Sequence, residues 1–468
     1  MTLIKSISGI RGTIGGKFGE ALTPLDIMKL TMGYAIWLKK KNIDNNIKII
    51  IGRDARVSGG MVNKIVVATL QSMGIDVVDG GVCSTPTVEV AVKDNKAQGG
   101  IIITASHNPK NWNALKLLNE NGEFLSAADG NEVIEFSESQ EYEFAKVDKL
   151  GKHTMDESLT ENHIKKILSL PGVDVDAISD ANFTVAIDGI NSVGGIAMPK
   201  LLEALGVKKV VEVYCEPTGL FQHNAEPLPE HLNELSSQVV KNKAHVGFAV
   251  DPDVDRLAII CEDGEPFGEE YTLVAVADYI LQNYEGNSSA TVSNLSSSQA
   301  LADVTEKYGG KHYASAVGEV NVVEKMKEVN AIIGGEGNGG VIYPEMHYGR
   351  DALTGAAIFL TYLAKSGKRC SSLKKTLPEY TISKNKIELT EDVDLDNILN
   401  RIANRYKRYP VNDTDGVKIF FDKEWVHLRK SNTEPIIRIY SESDSAVKAD
   451  NLAKKLMTDI SEIFRGGE

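Results

Sequence analysis

Cysteine is scarce. The 468 residues hold four, Cys83, Cys215, Cys261 and Cys370, widely scattered and without the paired spacing of a metal site. They read as reduced thiols, which places the chain in the cytoplasm. Long hydrophobic runs are also missing. The longest mostly apolar stretch, residues 353–364, is too short to span a bilayer and reads as a buried helix, so no membrane association is expected. Met1-Thr2-Leu3-Ile4-Lys5 leads into no apolar h-region, so no secretory signal is expected. Positive charge falls short of negative, 51 Lys and Arg against 65 Asp and Glu, and the net charge of −14 argues against nucleic acid as a partner. A small anionic ligand is still compatible, because the local field of a pocket can oppose the global one. What is present, 42% hydrophobic and 25% charged residues, suits a protein with real cores divided over three or four domains.

Short β-branched runs alternate with helical patterns, the signature of an α/β protein. A glycine-flanked turn at 8–12 carries Arg11, a helix follows over 23–40, and a strand at 47–51 runs into Gly52-Arg53-Asp54-Ala55-Arg56. A helix at 60–73 and strands at 76–79 and 101–103 complete the first unit. The plan recurs from Phe183 and again from Ala290, and each copy reaches a strand that ends in an unusual polar loop. These loops are 104–109, 251–256 and 334–340. In open α/β sheets, the carboxyl ends of strands are where ligands bind. From about Thr376 the pattern changes to three close strands, 417–421, 425–428 and 436–440, between helical segments, a separate antiparallel α+β domain. Charged stretches at 138–152 and 374–386 read as boundary regions or ordinary solvated surface.

In the first loop Ser106 stands at the tip beside His107. A serine hydroxyl is a weak nucleophile unless a base or a metal assists it; otherwise this is a strand-end turn capping a helix. In the second, Asp251, Asp253 and Asp255 alternate, so a kinked loop could aim all three at one hard cation. An EF-hand is excluded by Pro252 and by Arg256, which occupies the position of the required glycine. All-oxygen ligands point to Mg²⁺ with an open position, and a solvated acidic turn is the alternative. The third loop, Gly334-Gly-Glu336-Gly-Asn338-Gly-Gly340, lets backbone approach a ligand while Glu336 and Asn338 hydrogen-bond sugar hydroxyls. It has neither the P-loop lysine nor the spacing of a dinucleotide fingerprint. Arg429-Lys-Ser431-Asn432-Thr433-Glu-Pro435 with Arg438 reads as an anion cradle or as a charged hairpin turn. Lys116, in an apolar segment, is either a desolvated base of lowered pKa or a snorkelling lysine.

These loops together resemble the α-D-phosphohexomutase superfamily over essentially the whole chain. Thr104–Pro109 looks like its phosphoserine loop, 251–256 its metal loop, 336–338 its sugar loop, 429–438 its phosphate loop and 8–12 its N-terminal arginine turn. The resemblance implies four domains around a central cleft, three related α/β/α domains with mixed sheets plus the C-terminal α+β domain. Their expected bounds are 1–152, 153–257, 258–375 and 376–468. It further implies a phosphorylated Ser106 that exchanges its phosphoryl group with a hexose monophosphate through a hexose 1,6-bisphosphate, which also serves as activator. Mg²⁺ would be held by Ser106, Asp251, Asp253 and Asp255. Lys116 would be the general base, supported by His107 and Arg11. Arg256, Glu319, Glu336 and Asn338 would bind substrate, and Arg429, Ser431, Asn432, Thr433 and Arg438 the phosphate that is not reacting. The expected partner is a small phosphosugar, and the expected state a monomer or homodimer.

The sugar loop departs from the usual family pattern. Asn338 replaces a serine, Gly340 stands where bacterial phosphomannomutase/phosphoglucomutases have a histidine, and Glu319 follows Gly318 where those enzymes also carry a histidine. The acid and the Gly-Glu-Gly-Asn-Gly-Gly run look more like archaeal-type phosphoglucosamine mutases. The expected reaction is therefore glucosamine 6-phosphate to glucosamine 1-phosphate, with glucose or mannose phosphates as the alternative. A metal-dependent sugar phosphatase and a silent phosphosugar sensor are the rival classes.

Overall fold

The computed structural model describes residues 2–6, 9–42, 46–139, 142–286, 289–388, 394–430 and 436–464. By internal contacts the chain divides into two compact units, residues 1–272 with 338–374, and residues 273–337 with 375–468.

The first unit contains two sheets. The first has seven strands in the order Ile4–Ser6, Gly9–Thr13, Trp112–Leu118, Gly99–Ile103, Lys48–Arg53, Asp76–Val82, His153–Met155. The last four run parallel, while Trp112–Leu118 and the strands beyond it are antiparallel. Ile49 to Ile51 and Ile101 to Ile103 are completely buried, as expected for central strands covered on both faces. The helix Pro24–Lys41 covers one face. Thr23 and Asp26 form its capping box, Pro24 occupies its first turn, and Lys39, Lys40 and Lys41 meet the negative end of its dipole. The second sheet has the order Lys209–Val213, Thr184–Asp188, Val246–Val250, Leu257–Cys261, three parallel strands and a final antiparallel one.

The internal repetition expected from the sequence is present. In both sheets the first strand lies between the second and the third, and the chain returns antiparallel after the polar loop. In the second unit Lys311–Ser315, Ala290–Asn294 and Ile333–Glu336 are parallel and take the same order. Strand pairing carries the first sheet past residue 152 and the second past 257.

The C-terminal part is antiparallel, but with five strands rather than three: Thr381–Glu388, Ile436–Ser443, Glu424–Lys430, Val417–Phe421 and Val411–Asn412. The charged stretch at 374–386 holds the boundary between the two units, at 374/375, and then continues as a strand. It lies at the sheet edge, where lysines alternating with half-buried positions are tolerated. Helices Leu395–Arg405 and Ala446–Phe464 pack on one face through Ile398, Ile402, Leu456 and Ile460 against Ile419, Val426 and Ile439. Among the described residues no helix is long and apolar enough to cross a membrane.

Candidate active site

The Ser106 loop leaves the buried strand Gly99–Ile103 and is fixed from below by one arginine. Arg56 is almost fully buried and its Nε donates to Asp54 Oδ2 at 2.9 Å. Its two terminal nitrogens donate to the carbonyls of Pro109 (2.7 Å), Trp112 (3.0 Å), Ser106 (2.5 Å) and Asn108 (2.7 Å). Thr104 Oγ1 donates to Asp54 Oδ2 at 2.7 Å and accepts from Ser106 N at 2.9 Å. So clamped, Ser106 holds a left-handed φ of 47°, which a non-glycine residue adopts only when its surroundings over-determine it. Its Oγ donates to Asp251 Oδ2 at 2.7 Å and lies 3.4 Å from His107 Nδ1. Burial, and then the charge of Arg256, push the His107 imidazole down to about 3, so it is neutral near pH 7.

The second loop kinks at Val254, whose φ of 63° is an outlier for a β-branched residue. The kink brings Asp251, Asp253 and Asp255, all fully buried, together so that one oxygen of each lies within 4.8 Å of the others. Asp251 Oδ1 accepts from the backbone N–H groups of Asp255 and Arg256, both at 3.2 Å. Thr85 binds Asp253 twice, through its backbone N–H and through Oγ1 at 2.6 Å. Ser192 bridges the segment after the strand Lys48–Arg53 and the aspartate loop: its Oγ accepts from Ala55 N and donates to Pro252 O. Arg350 Nη2 lies 2.7 Å from Asp255 Oδ2, and Arg256 pairs with Glu226 at 3.2 Å.

Lys116 Nζ lies 2.7 Å from Asp253 Oδ2 and 3.7 Å from Asp255 Oδ2. The expected lowering of its pKa is reversed. Burial pushes the ammonium down, but the Asp253 and Asp255 charges outweigh it and hold it above the ordinary lysine range. Burial likewise pushes Asp253 up, and Lys116 with its hydrogen bond more than offsets this, holding Asp253 low. Asp251, with burial and then Asp255 and Asp253 against it, is raised well above the usual carboxylate range.

Asp253 Oδ1 and Asp255 Oδ1 are buried and accept no hydrogen bond among the described residues, although Arg256 Nε lies 3.9 Å from Asp255 Oδ1. Bare buried carboxylate oxygens are costly unless a cation takes them. An all-oxygen set of this kind fits a hard divalent ion.

Arg11 is not in a tight turn. It lies within the strand Gly9–Thr13, opposite Ala114, one diagonal step from the Gly9–Lys116 pair and on the same face of the sheet. Gly9 is required there, because its φ is 133° and a Cβ would meet Leu115 O at 1.8 Å. Asn338 belongs to the first unit, where its buried Oδ1 makes no hydrogen bond among the described residues, and the following Gly339 O accepts from Leu257 N, just beyond the aspartates.

In the second unit Glu336 is buried and its Oε1 accepts from Asn294 Nδ2 (2.9 Å) and Gly318 N (3.2 Å). Glu319 opens the helix Glu319–Val329 immediately after Gly318, so Glu336 and Glu319 share one corner. Arg429 and Arg438 are directly opposed on neighbouring antiparallel strands, a like-charge pair that an anion would relieve. Arg429 Nε also donates to Asp415 at 2.9 Å. Ser431, Asn432 and Thr433 lie outside the described residues.

Sequence reasoning missed Arg56, Thr85, Ser192 and Arg350. Arg56 had a usable signal, since it follows the strand Lys48–Arg53 at the same carboxyl edge of the sheet as the Ser106 loop.

A repeated α/β unit with a serine loop and a triple-aspartate loop at equivalent strand ends, joined to an antiparallel C-terminal domain, defines a phosphohexomutase, an enzyme that transfers phosphate within its substrate. The chain belongs to the phosphoglucomutase/phosphomannomutase family. It matches the family's α/β/α domain I over residues 3–143, domain II over 161–264, domain III over 268–380 and the C-terminal domain over 386–458. A phosphoglucomutase/phosphomannomutase of Thermococcus kodakarensis is 37% identical over 443 residues, 94% of this chain and 95% of the relative. A phosphoglucosamine/phosphogalactosamine mutase of Sulfurisphaera tokodaii is 31% identical and covers 98% of each chain. Among solved structures, a phosphoglucomutase/phosphomannomutase family protein of Burkholderia thailandensis superposes with a TM-score of 0.83 at 20% identity, covering 99% of this chain and 98% of its own.

Proposed function

We propose that this enzyme interconverts glucosamine 6-phosphate and glucosamine 1-phosphate, with Ser106 carrying the phosphoryl group between turnovers. The observation that carries the serine's role is its Oγ, 2.7 Å from Asp251 in a loop held at a strained φ by the buried Arg56. In the forward direction phosphorylated Ser106 gives its phosphoryl group to a free hydroxyl of the bound sugar phosphate. The Ser106 O–P bond breaks and a sugar O–P bond forms, while Lys116 gives its proton to the Ser106 oxygen that is freed and takes the hydroxyl proton in its place. The hexose 1,6-bisphosphate then presents its other phosphate, and Ser106 takes that one back. Bound Mg²⁺ would be held by Asp251, Asp253, Asp255 and Ser106 and would neutralise charge developing on the transferred group.

Lys116 keeps its proton while Asp253 and Asp255 face it, and yields it more readily once those carboxylates also act as ligands. His107 and Arg11 support the serine loop and its phosphate. Arg256, Glu336 and Asn338 bind the sugar. Arg429, Arg438 and residues 431–433 grip the phosphate that is not reacting, as guanidinium groups and turn N–H groups do. Glu319 supports the choice of sugar, because a carboxylate favours the C2 ammonium of glucosamine over a hydroxyl. The Sulfurisphaera relative is named for amino sugars. The Thermococcus relative favours a second reading, glucose or mannose phosphates.

A coupled assay with Mg²⁺ and trace hexose 1,6-bisphosphate, run on glucosamine, glucose and mannose phosphates side by side, tests this. Glucosamine phosphate should turn over fastest and Ser106→Ala should abolish turnover of all three. A reversed order of sugars would establish the second reading. Phosphate release without isomerisation would replace both with a phosphatase.

A further inference from the structure

Away from the serine and aspartate loops, the first unit buries two histidines around one carboxylate. His163 is fully buried, and Asp351 and His347 nearly so. His163 Nε2 lies 3.0 Å and His347 Nε2 3.6 Å from the same oxygen, Asp351 Oδ2, and the three ligand atoms lie within 4.8 Å of one another. The opposite ring nitrogens are engaged from behind. His163 Nδ1 is 3.0 Å from Thr87 Oγ1, and His347 Nδ1 is 3.3 Å from Glu89 Oε2. Asp351 is anchored as a helix cap by the N–H groups of Leu353 and Thr354 and by the Thr354 hydroxyl.

We infer that His163, His347 and Asp351 form a further metal site, for a four-coordinate transition-metal ion of the zinc class. Three features support it. His163 Nε2 and His347 Nε2 converge on one carboxylate oxygen, and in the tautomers protonated on Nδ1 both present a lone pair there, an arrangement that a cation between them satisfies. His347 Nε2 is buried and makes no hydrogen bond among the described residues. Donor atoms about 2.0–2.1 Å from a tetrahedral zinc lie about 3.3 Å apart, and the observed 3.0 and 3.6 Å bracket that spacing. A hydroxyl and a carboxylate behind the ligating imidazoles are the outer partners that fix ring orientation at such sites. The donor set differs from the all-oxygen aspartate loop, so the two sites select different ions.

The site would be a brace. Thr87 and Glu89 belong to the helix Thr85–Asp94, whose first residue binds Asp253, and Asp351 follows Arg350, which binds Asp255. An ion here would tie both supports of the aspartate loop to the helix Leu159–Leu168 that carries His163.

The test is a Co²⁺ titration of the full chain, stripped with chelator and returned to excess Mg²⁺. One equivalent should bind with the intense visible bands of four-coordinate Co²⁺, and Zn²⁺ should displace it. His347→Gln should lose the bands, and Glu89→Gln should keep them while weakening Co²⁺ binding by about 10–100-fold. Only weak six-coordinate absorption in the unaltered chain, or bands unchanged in His347→Gln, would overturn the inference and leave a hydrogen-bonded network. If His347→Gln does not fold, unchanged Co²⁺ affinity in Glu89→Gln overturns it equally.

Discussion

Replacing Arg56 by lysine isolates what its guanidinium does, since the charge next to Asp54 is kept. Arg56 donates five hydrogen bonds, one to Asp54 and four to carbonyls of the loop 106–112, in the fork geometry that lysine lacks. A lysine ammonium has three donors at one point, so at least two carbonyls lose their partner. Leaving a buried acceptor unsatisfied costs about 1–3 kcal/mol, and the variant should therefore be about 2–5 kcal/mol less stable. Asp54, raised by burial against the pull of Arg56, keeps a cation beside it, so the loss comes from the loop. Released from the clamp, Ser106 should relax from its left-handed conformation, which is strained by about 1–3 kcal/mol. Urea denaturation with single-turnover phosphoryl transfer separates these effects. The expected result is a lower midpoint together with a transfer rate reduced at least about tenfold at saturating substrate. Wild-type transfer in a folded Arg56→Lys chain would refute the view that this clamp positions the serine.

Gly9→Ala should cost about 3 kcal/mol or more, seen as a lower denaturation midpoint, because its Cβ would collide with Leu115 O beside Lys116. Lys116→Met should lower stability at pH 7, measured without divalent cation, by about 3–5 kcal/mol through the unpaired Asp253. The sign with pH follows from the depressed Asp253: its contribution is present above about pH 4 and is lost as pH falls from there through its folded value, so the difference between wild type and Lys116→Met should hold from pH 7 to about pH 4 and shrink below it. Mg²⁺ at about 100 times its Kd should stabilise the chain by about 2.7 kcal/mol. Asp251→Asn should lose that shift in a thermal melt, since it removes one of the three converging carboxylates.

Ser106 and the three aspartates were legible because each sits in a short local string at a strand end, where the α/β rule already places ligands. The supports of that chemistry were not, because their partners are distant in sequence. Thr85 binds Asp253 across 168 positions and Arg350 binds Asp255 across 95. The strand Gly9–Thr13 read as a turn because its glycines suggest one, and pairing with Trp112–Leu118 overrides that preference. Lys116 shows the same limit. Its apolar neighbours argued for a lowered pKa, while the deciding charges arrive from another sheet.

The most direct test of the account is to locate the phosphoryl group. The enzyme would be incubated with hexose 1,6-bisphosphate and Mg²⁺, digested, and its phosphopeptides read by mass spectrometry. The account predicts one phosphoryl group, on Ser106, removed by hexose monophosphate and absent from Ser106→Ala. A label on any other residue, or turnover that persists in Ser106→Ala, would contradict it.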